Sequence, residues 1–260
     1  MKQPGKKIFG TLLASIIAFS GASISAETAS GLLTITFDDG GTTQYQNGLR
    51  ISKAYDIVGT IFVPPAMISE ASEPRGPDWI MNWNEVREFH DAGWEIGAHG
   101  MSHLRLTELD SAEIDREVEQ PIADIEEQIG VEPVSFSSPY GDFNGRTIKR
   151  IMESYSYHLS WKGHEGRNPV TAIDQRYIGR LEVTSDMSSA LVCGEMVRAA
   201  QTGIWLVLLF HGIVEENPQE YQITAGKFEE ILSCADLLKQ NGIIRVATAR
   251  DAMEIIGAID

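Results

Sequence analysis

Basic residues, cysteines and long apolar runs are all scarce in this sequence. It contains 21 lysines and arginines against 37 aspartates and glutamates, and its formal net charge is −16. Such acidity argues against nucleic acid or another polyanion as a partner, whereas a neutral or cationic polymer would not be repelled. The charge could also serve only to keep an exported protein soluble. The two cysteines, Cys193 and Cys234, could form one disulfide outside the cell or pack as two small buried residues.

The one long apolar run lies near the N-terminus. Three lysines precede apolar residues 8–19, and residues 24–26 (Ile-Ser-Ala) are typical of a cleavage site. Residues 1–26 are therefore predicted to be a secretory signal peptide, because the apolar run is shorter than the ~20 residues that span a bilayer. We expect residues 27–260 to form one exported domain, periplasmic or secreted, with no membrane span after signal cleavage.

Short apolar runs rich in β-branched residues alternate with helical patterns along the rest of the chain. The predicted strands are residues 32–37, 58–63, 94–98, 134–137, 158–161, 177–183, 204–210 and 243–246. The predicted helices are approximately residues 44–55, 83–92, 111–130, 145–154, 187–202, 225–240 and 248–256. Near-continuous hydrophobic strands separated by helices indicate a parallel sheet covered on both faces. The predicted fold class is α/β, a distorted or incomplete (β/α) barrel of about seven parallel strands.

Polar residues directly follow four of these strands. Asp38 and Asp39 follow the first strand, His99 the third, Ser138 the fourth and His211 the seventh. The carboxyl ends of the strands of such a barrel lie at one end, where the chemistry is found. Four polar strand ends are hard to explain by packing alone, so we expect these side chains to converge.

The first and third strand ends have the residue types of a metal site. Asp39, His99 and His103 could bind one divalent ion and leave a fourth position to water, as catalytic zinc sites do. Asp38 would then be free to act as a base. The same ligands would suit non-haem iron, while an Asp-Gly pair also forms turns and paired histidines also occur on surfaces.

These motifs, in their order and approximate spacing, resemble those of polysaccharide deacetylases of carbohydrate esterase family 4, the NodB-homology domain. The resemblance covers residues 31–250 and rests on residues 36–40 (TFDDG), 99–103 (HGMSH), 138–141 (SPYG) and 209–211 (LFH). The motif style is nearest to exopolysaccharide N-deacetylases with Ser-Pro-Tyr-Gly in place of Arg-x-Pro-Tyr-Gly. The resemblance implies a metal-dependent hydrolase acting on a glycan, on a distorted (β/α) barrel.

The resemblance also implies roles for the strand-end residues. Asp39, His99 and His103 would hold one divalent ion, most commonly Zn²⁺. Asp38 would be the base that takes a proton from the attacking water, and His211 the general acid that protonates the leaving amine nitrogen. The alternatives are a capping or turn role for Asp38 and, for His211, a hydrogen bond that closes the barrel end.

Three further residues are expected at the site, and each has an alternative role. The backbone N–H of Tyr140 would help to bind the oxyanion, although Pro-Tyr-Gly is also a common tight turn. Leu209 would line a pocket for the acetyl methyl group or be an ordinary inward-facing barrel residue. Trp161 could offer its ring to a sugar or belong to the core.

The sequence departs from the family pattern at two motif positions. Ser137 stands where many members have an arginine that orients the base. Arg180 is the candidate replacement, because some exopolysaccharide deacetylases that resemble this chain supply the arginine from a later strand. Pairing of Arg180 with Glu182 or Asp186 is the alternative. Gly100 stands where a hydroxyl residue commonly follows the first histidine, and Ser102 could substitute for it.

The aspartate that usually tunes the catalytic histidine has no counterpart between residues 155 and 174. His158 and His164 lie in that segment, and we predict both to be non-catalytic. The predicted function is removal of N-acetyl groups from glycans that contain N-acetylglucosamine. The alternatives are O-deacetylation of a polysaccharide such as xylan and a non-catalytic glycan-binding barrel.

Overall fold

The structure is a computed structural model that describes residues 31–68, 80–161 and 165–259. The predicted signal peptide and His164 lie outside the described residues. Within the described ranges, no helix is both long enough and apolar enough to cross a membrane.

The chain alternates strands and helices. The strands are β1 (Gly31–Phe37), β2 (Gly59–Val63), β3 (Glu95–Ala98), β4 (Ser135–Ser137), β5 (Tyr157–Ser160), β6 (Arg167–Pro169), β7 (Ile178–Gly179), β8 (Leu181–Glu182), β9 (Ile204–Phe210), β10 (Gly212–Val214), β11 (Gln222–Thr224) and β12 (Ile244–Val246). The helices are α1 (Arg50–Ala54), α2 (Trp83–Asp91), α3 (Ser111–Ile129), α4 (Gly145–Met152), α5 (Ser189–Thr202), α6 (Ala225–Gln240) and α7 (Ala249–Ile256). A π-helical stretch, Gln44–Leu49, precedes α1.

The strands form a nearly closed parallel barrel, which confirms the predicted fold class. The order β9-β1-β2-β3-β4-β5-β7 is parallel throughout. Only Arg180 separates β7 from β8, and β8 pairs in parallel with β9. Residues 178–182 therefore link the two edges of the sheet. β12 pairs with the start of β1, and β6 adds an antiparallel partner to β9.

Side-chain alternation along the strands separates two apolar clusters. In β9, Leu206, Leu208 and Phe210 belong to the large cluster that also contains buried residues of α2, α3, α5 and α6. Trp205 and Val207 belong to a second cluster with residues of α7. Because successive strand residues point to opposite faces, both faces of the sheet are covered, as the continuous apolar runs of the sequence predict.

One predicted strand is divided in the structure, and three short strands are additional to the prediction. The predicted strand 177–183 is divided at Arg180, whose side chain turns towards Asp38 in the barrel interior. The short strands β6, β10 and β11 are additional to the prediction, since none of them has an apolar run.

The cysteines are joined in a disulfide, which decides between the two alternatives that the sequence leaves open. The bond links Cys193 of α5 to Cys234 of α6, with their Cα atoms 6.0 Å apart. The two helices pack side by side against the barrel, and this packing brings the cysteines together.

Candidate active site

A cavity of about 670 Å³ lies at the carboxyl ends of the barrel strands. The side chains predicted from the strand ends converge there, as do several others; the lining includes Asp38, Asp39, His99, His103, Tyr140, Trp161, Glu182, His211 and Tyr221. The expectation is therefore confirmed for the first, third and seventh strand ends. Ser138, at the fourth, is absent from the lining and its hydroxyl contacts His158, while Tyr140 two residues later reaches the cavity.

Asp39, His99 and His103 bring three ligand atoms to one point. Oδ1 of Asp39 lies 3.3 Å from Nε2 of His99 and 3.0 Å from Nε2 of His103. All three atoms lie within 4.8 Å of one another. Asp39 and His103 both have positive φ, 74° and 57°, a conformation that is rare for residues other than glycine. The backbone is thus held in an uncommon conformation that aims these side chains inwards.

The geometry of this triad fits a bound divalent ion. Oδ1 of Asp39 is buried, yet it has no hydrogen-bond partner among the described residues. Burying an oxygen without a hydrogen-bond partner lowers the stability of the fold unless a cation or another group binds it. Burial alone would raise the pKa of Asp39, but the His103 and His99 imidazoles hold it well below its usual range, so the carboxylate is ionised as a ligand must be.

His99 is fixed in the tautomer that frees Nε2 for a metal. Its Nδ1 lies 2.7 Å from the carbonyl oxygen of Ser137 and must donate to it, because a carbonyl only accepts. Burial lowers the pKa of His99, but the nearby carboxylates of Asp38 and Asp39 outweigh burial and raise it. Ser137, at the position of the missing motif arginine, therefore orients a ligand through its backbone.

The loop between the two histidines is held by a buried carboxylate that the sequence analysis missed. Glu117 of α3 accepts hydrogen bonds from the backbone N–H groups of Met101, at 2.9 Å, and Ser102, at 2.8 Å. Gly100 has φ +70°, and a β-carbon there would lie 3.1 Å from Oε2 of Glu117. The glycine that departs from the family pattern thus fits a loop anchored from α3. In the sequence Glu117 belongs to a run of charged residues in the predicted helix 111–130, a pattern that indicates a solvent-facing side and gave no signal of this contact.

Arg180 forms a bidentate ion pair with Asp38. Its two terminal nitrogens each lie 2.7 Å from an Asp38 oxygen, and Nη2 also donates to the hydroxyl of Ser137 at 2.7 Å. The same hydroxyl donates to Oδ2 of Asp38 at 3.1 Å. Burial would raise the pKa of Asp38, but the Arg180 guanidinium reverses this and lowers it. Arg180 therefore pairs with Asp38, as expected if it replaces the motif arginine. Pairing with Glu182 or Asp186 was the alternative.

His211 faces a carboxylate from the strand that closes the barrel. Its Nδ1 lies 3.4 Å from Oε1 of Glu182. Burial raises the pKa of Glu182, while the His211 charge opposes that rise. The side-chain amide of Gln44 donates to the backbone oxygens of both His211 and Asp38, which ties the ends of β9 and β1 together. Glu182 was missed as a partner of His211, although its place two residues after Arg180 puts both on one strand face.

The three less certain site residues occupy different positions. Tyr140 is 42% exposed with φ 60°, and its ring packs against His103, with centroids 4.7 Å apart, and under the guanidinium of Arg105 at 4.1 Å. Trp161 lines the cavity, and a β-carbon on Gly141 would lie 2.9 Å from its ring nitrogen. Leu209 is fully buried and is absent from the cavity lining, so its methyl-pocket role stays a prediction.

His158 is buried inside the barrel wall. Its Nδ1 donates to the carbonyl oxygen of Arg176 and its Nε2 accepts from the hydroxyl of Ser138, both at 2.8 Å. Burial lowers its pKa to about 4. Because both ring nitrogens are occupied and the residue is absent from the cavity lining, this geometry agrees with a structural role.

The arrangement has the parts that hydrolysis of an acyl group needs. It combines a cation-binding triad, an ionised carboxylate beside it and an imidazole at the end of β9, all facing one open cavity. A carboxylate can take a proton from water, and an imidazole can return one to a leaving group.

Comparisons with known proteins show the family and the fold of this chain. The profile of the polysaccharide deacetylase family matches residues 25–159. A family 4 carbohydrate esterase from Streptomyces lividans in complex with acetate has TM-score 0.56 and 19% identity, over 82% of this chain and 90% of that chain. A family 4 acetyl xylan esterase from Clostridium thermocellum in complex with a cobalt ion has TM-score 0.59 and 16% identity, over 87% and 92%.

A mutant of the peptidoglycan deacetylase from Bacillus subtilis is similar to the same degree, with TM-score 0.56 and 18% identity over 86% of this chain and 91% of that chain. At such identities these likenesses show the shared barrel fold. The family profile, by contrast, covers more than half of the chain and includes both metal-site motifs. The protein therefore belongs to the polysaccharide deacetylase family.

Proposed function

We propose that this protein is a metal-dependent hydrolase that removes N-acetyl groups from glycans containing N-acetylglucosamine. The observation that carries the proposal is the convergence of the Asp39, His99 and His103 ligand atoms beside Asp38, with His211 across the same cavity. Neutral imidazoles and one carboxylate are ligands that zinc accepts, so Zn²⁺ is the proposed ion.

The side chains around the cavity divide the chemistry between them. When bound, the divalent ion would polarise the acetyl carbonyl and make water more acidic. Asp38, held ionised and fixed in orientation by Arg180, takes the proton of the attacking water. The backbone N–H of Tyr140 helps to bind the oxyanion, a contribution that is typically worth about 3 kcal/mol.

The position of His211 favours N-deacetylation over O-deacetylation as the reaction. An amide nitrogen leaves poorly unless it is protonated, and a positioned acid is worth roughly 10²–10⁴-fold in rate. The carboxylate of Glu182 lies 3.4 Å from Nδ1 of His211, where it can stabilise the positive charge that an acid catalyst carries before it gives up its proton. An ester oxygen needs this assistance less, so the pairing is better explained by an amide substrate.

The disulfide supports export. Disulfides form and persist in oxidising compartments, and the bond between α5 and α6 agrees with the predicted signal peptide. We therefore propose that the protein is periplasmic or secreted.

Acetate release by purified protein, with and without added Zn²⁺, tests the proposal. The substrates are chitin oligomers, peptidoglycan, poly-N-acetylglucosamine and acetylxylan. We expect metal-dependent release from an N-acetylated glycan, abolished by Asp38→Asn and strongly reduced by His211→Ala. His90→Ala, on α2 and outside the cavity lining, is the matched control and should remain active. Release from acetylxylan alone would identify an O-deacetylase, and glycan binding without turnover would identify a binding protein.

A further inference from the structure

In the part of the chain that the structure describes, strongly exposed aromatic side chains occur beside the candidate site. Among the described residues, the aromatic side chains with large exposure are Tyr140, at 42%, and Tyr221, at 50%. Both line the cavity that holds the ligand triad. Exposed aromatic surface is costly in water and marks a binding surface when it is concentrated at one place.

The two tyrosines differ in how much of the ring remains open. Tyr140 lies under the Arg105 guanidinium at 4.1 Å and against His103 at 4.7 Å, so protein groups cover much of its ring. Tyr221 meets His211 edge-on, with ring centroids 6.1 Å apart. Its ring is half-exposed and lines the cavity beside His211.

The position of Tyr221 is fixed by strand register. Gly212 follows His211 directly and pairs with Gln222, so Tyr221 lies opposite His211 at the end of the β10–β11 pair. The two strands approach closely, because a β-carbon on Gly212 would lie 2.7 Å from Cγ of Gln222. A side chain at residue 212 would meet the side chain of Gln222, the residue that follows Tyr221.

The preceding turn is also held by hydrogen bonds. The backbone N–H of Gln222 donates to the carbonyl oxygen of Gln219 at 3.0 Å, and the N–H of Ser185 donates to that of Glu220 at 3.0 Å. The ring is thus presented on an anchored backbone rather than on a free loop. An ordered aromatic face loses little conformational entropy when a ligand covers it.

We propose that Tyr221 forms a second sugar-ring subsite, on which the residue next to the one being deacetylated stacks its apolar face. This inference rests on the proposed function and deepens it, since it assigns the contact with the neighbouring sugar to one residue, Tyr221. Carbon-bound hydrogens on one face of a pyranose fit a tyrosine ring, while the neutral hydroxyls remain in water.

The test is the dependence of kcat/KM on chain length. We expect the native enzyme to prefer chitotetraose over N-acetylglucosamine. Tyr221→Ala should lower the ratio of tetramer to monomer kcat/KM by about 2- to 10-fold, the range for one aromatic contact. Tyr221→Phe keeps the ring and should retain the native preference. Leu237→Ala, which removes an exposed apolar side chain from α6, is the control for unrelated surface change.

Binding separates failure of the inference from failure of the proposed function. Calorimetric titration of chitotetraose into zinc-loaded Asp38→Asn protein, with and without Tyr221→Ala, needs no turnover. Weaker binding by the double variant supports the subsite even if the native protein proves inactive. Equal affinity of the two proteins, no binding by either, or an unchanged ratio of tetramer to monomer kcat/KM would overturn it. Thermal melting of Tyr221→Ala shows whether the variant is folded.

Discussion

The double variant Ser137→Arg/Arg180→Ser moves the buried arginine from residue 180 to residue 137. It tests whether a guanidinium at either residue can pair with the Asp38 carboxylate. The guanidinium of Arg180 and the carboxylate of Asp38 are both buried and joined by two hydrogen bonds of 2.7 Å. The hydroxyl of Ser137 lies within 3.1 Å of both groups. A guanidinium on residue 137 would therefore enter the space that Arg180→Ser vacates.

The single changes have separate costs. Arg180→Ser leaves the Asp38 carboxylate buried and unpaired, which should lower the free energy of unfolding by about 3–5 kcal/mol. Ser137→Arg places a large side chain at a fully buried position beside a second guanidinium, which should cost about 1–3 kcal/mol from overpacking alone and more from like charge. The total for a folded domain is only about 5–15 kcal/mol, so both effects are measurable.

The double variant restores one cation to the carboxylate and the lost volume to the interior. Its loss of stability should be smaller than the sum of the single losses, with a coupling energy of about 2–3 kcal/mol. Urea unfolding of the four proteins, followed by circular dichroism in the presence of a chelator, measures this energy without a contribution from metal binding. Turnover should also recover partly in the double variant relative to Arg180→Ser.

The reasoning would be refuted if the losses of unfolding free energy in the two single variants simply added in the double variant. A loss below about 1 kcal/mol for Arg180→Ser would refute it as well. If Arg180→Ser does not fold, Arg180→Lys replaces it. Lysine keeps the charge but cannot form the two-pronged contact, so it should retain most of the stability and lose part of the turnover.

Three further predictions concern groups around the site. Glu182→Gln removes the charge beside His211 and should lower kcat at least about 10-fold with little change in KM, measured by acetate release. Glu117→Ala removes the acceptor of two loop amides and should weaken zinc binding about 10-fold or more, measured by competition with a chromophoric chelator. Because burial lowers the pKa of His158 to about 4, the unfolded chain binds its proton first as the pH falls below about 6.5. Stability should therefore decrease by about 2 kcal/mol between pH 7 and pH 5 in urea unfolding, and His158→Gln should remove that decrease.

A control variant accompanies the Glu117 prediction, and a contrary result is defined for each of the other two. Glu126→Ala removes an exposed glutamate from the same helix as Glu117 and should leave zinc affinity unchanged. Native kcat in Glu182→Gln would show that His211 acts without this carboxylate. An unchanged pH dependence of stability in His158→Gln would show that other groups cause the acid sensitivity.

The barrel was predictable because its strands have strong local signals. β1 and β9 are continuous apolar runs, and such runs indicate strands buried on both faces whatever their partners. The short strand β6 contains Arg167 and Pro169, both exposed, and forms only because β9 offers an open edge. Pairings of this kind depend on a distant part of the chain, so no local pattern predicts them.

The same distinction applies to the site. Asp39, His99 and His103 are predictable as a group because parallel strands bring their carboxyl ends together. Glu117 was missed because its function depends on α3 packing against β3, and Glu182 because its partner His211 lies on another strand. The roles of the site residues and the single-domain assignment of residues 27–260 stay predictions.

The segment that closes the barrel also explains why an arginine is dispensable at residue 137. Because β7 pairs with β5 and β8 pairs with β9, residues 178–182 cross the gap between the two edges of the sheet. Arg180 sits at the break and reaches Asp38 on β1, while Glu182, two residues later, faces His211 at the end of β9. One strand segment therefore orients both the proposed base and the proposed acid. Closure of the barrel and assembly of the site are then the same structural event, so a change that loosens either end of this segment should affect stability and turnover together.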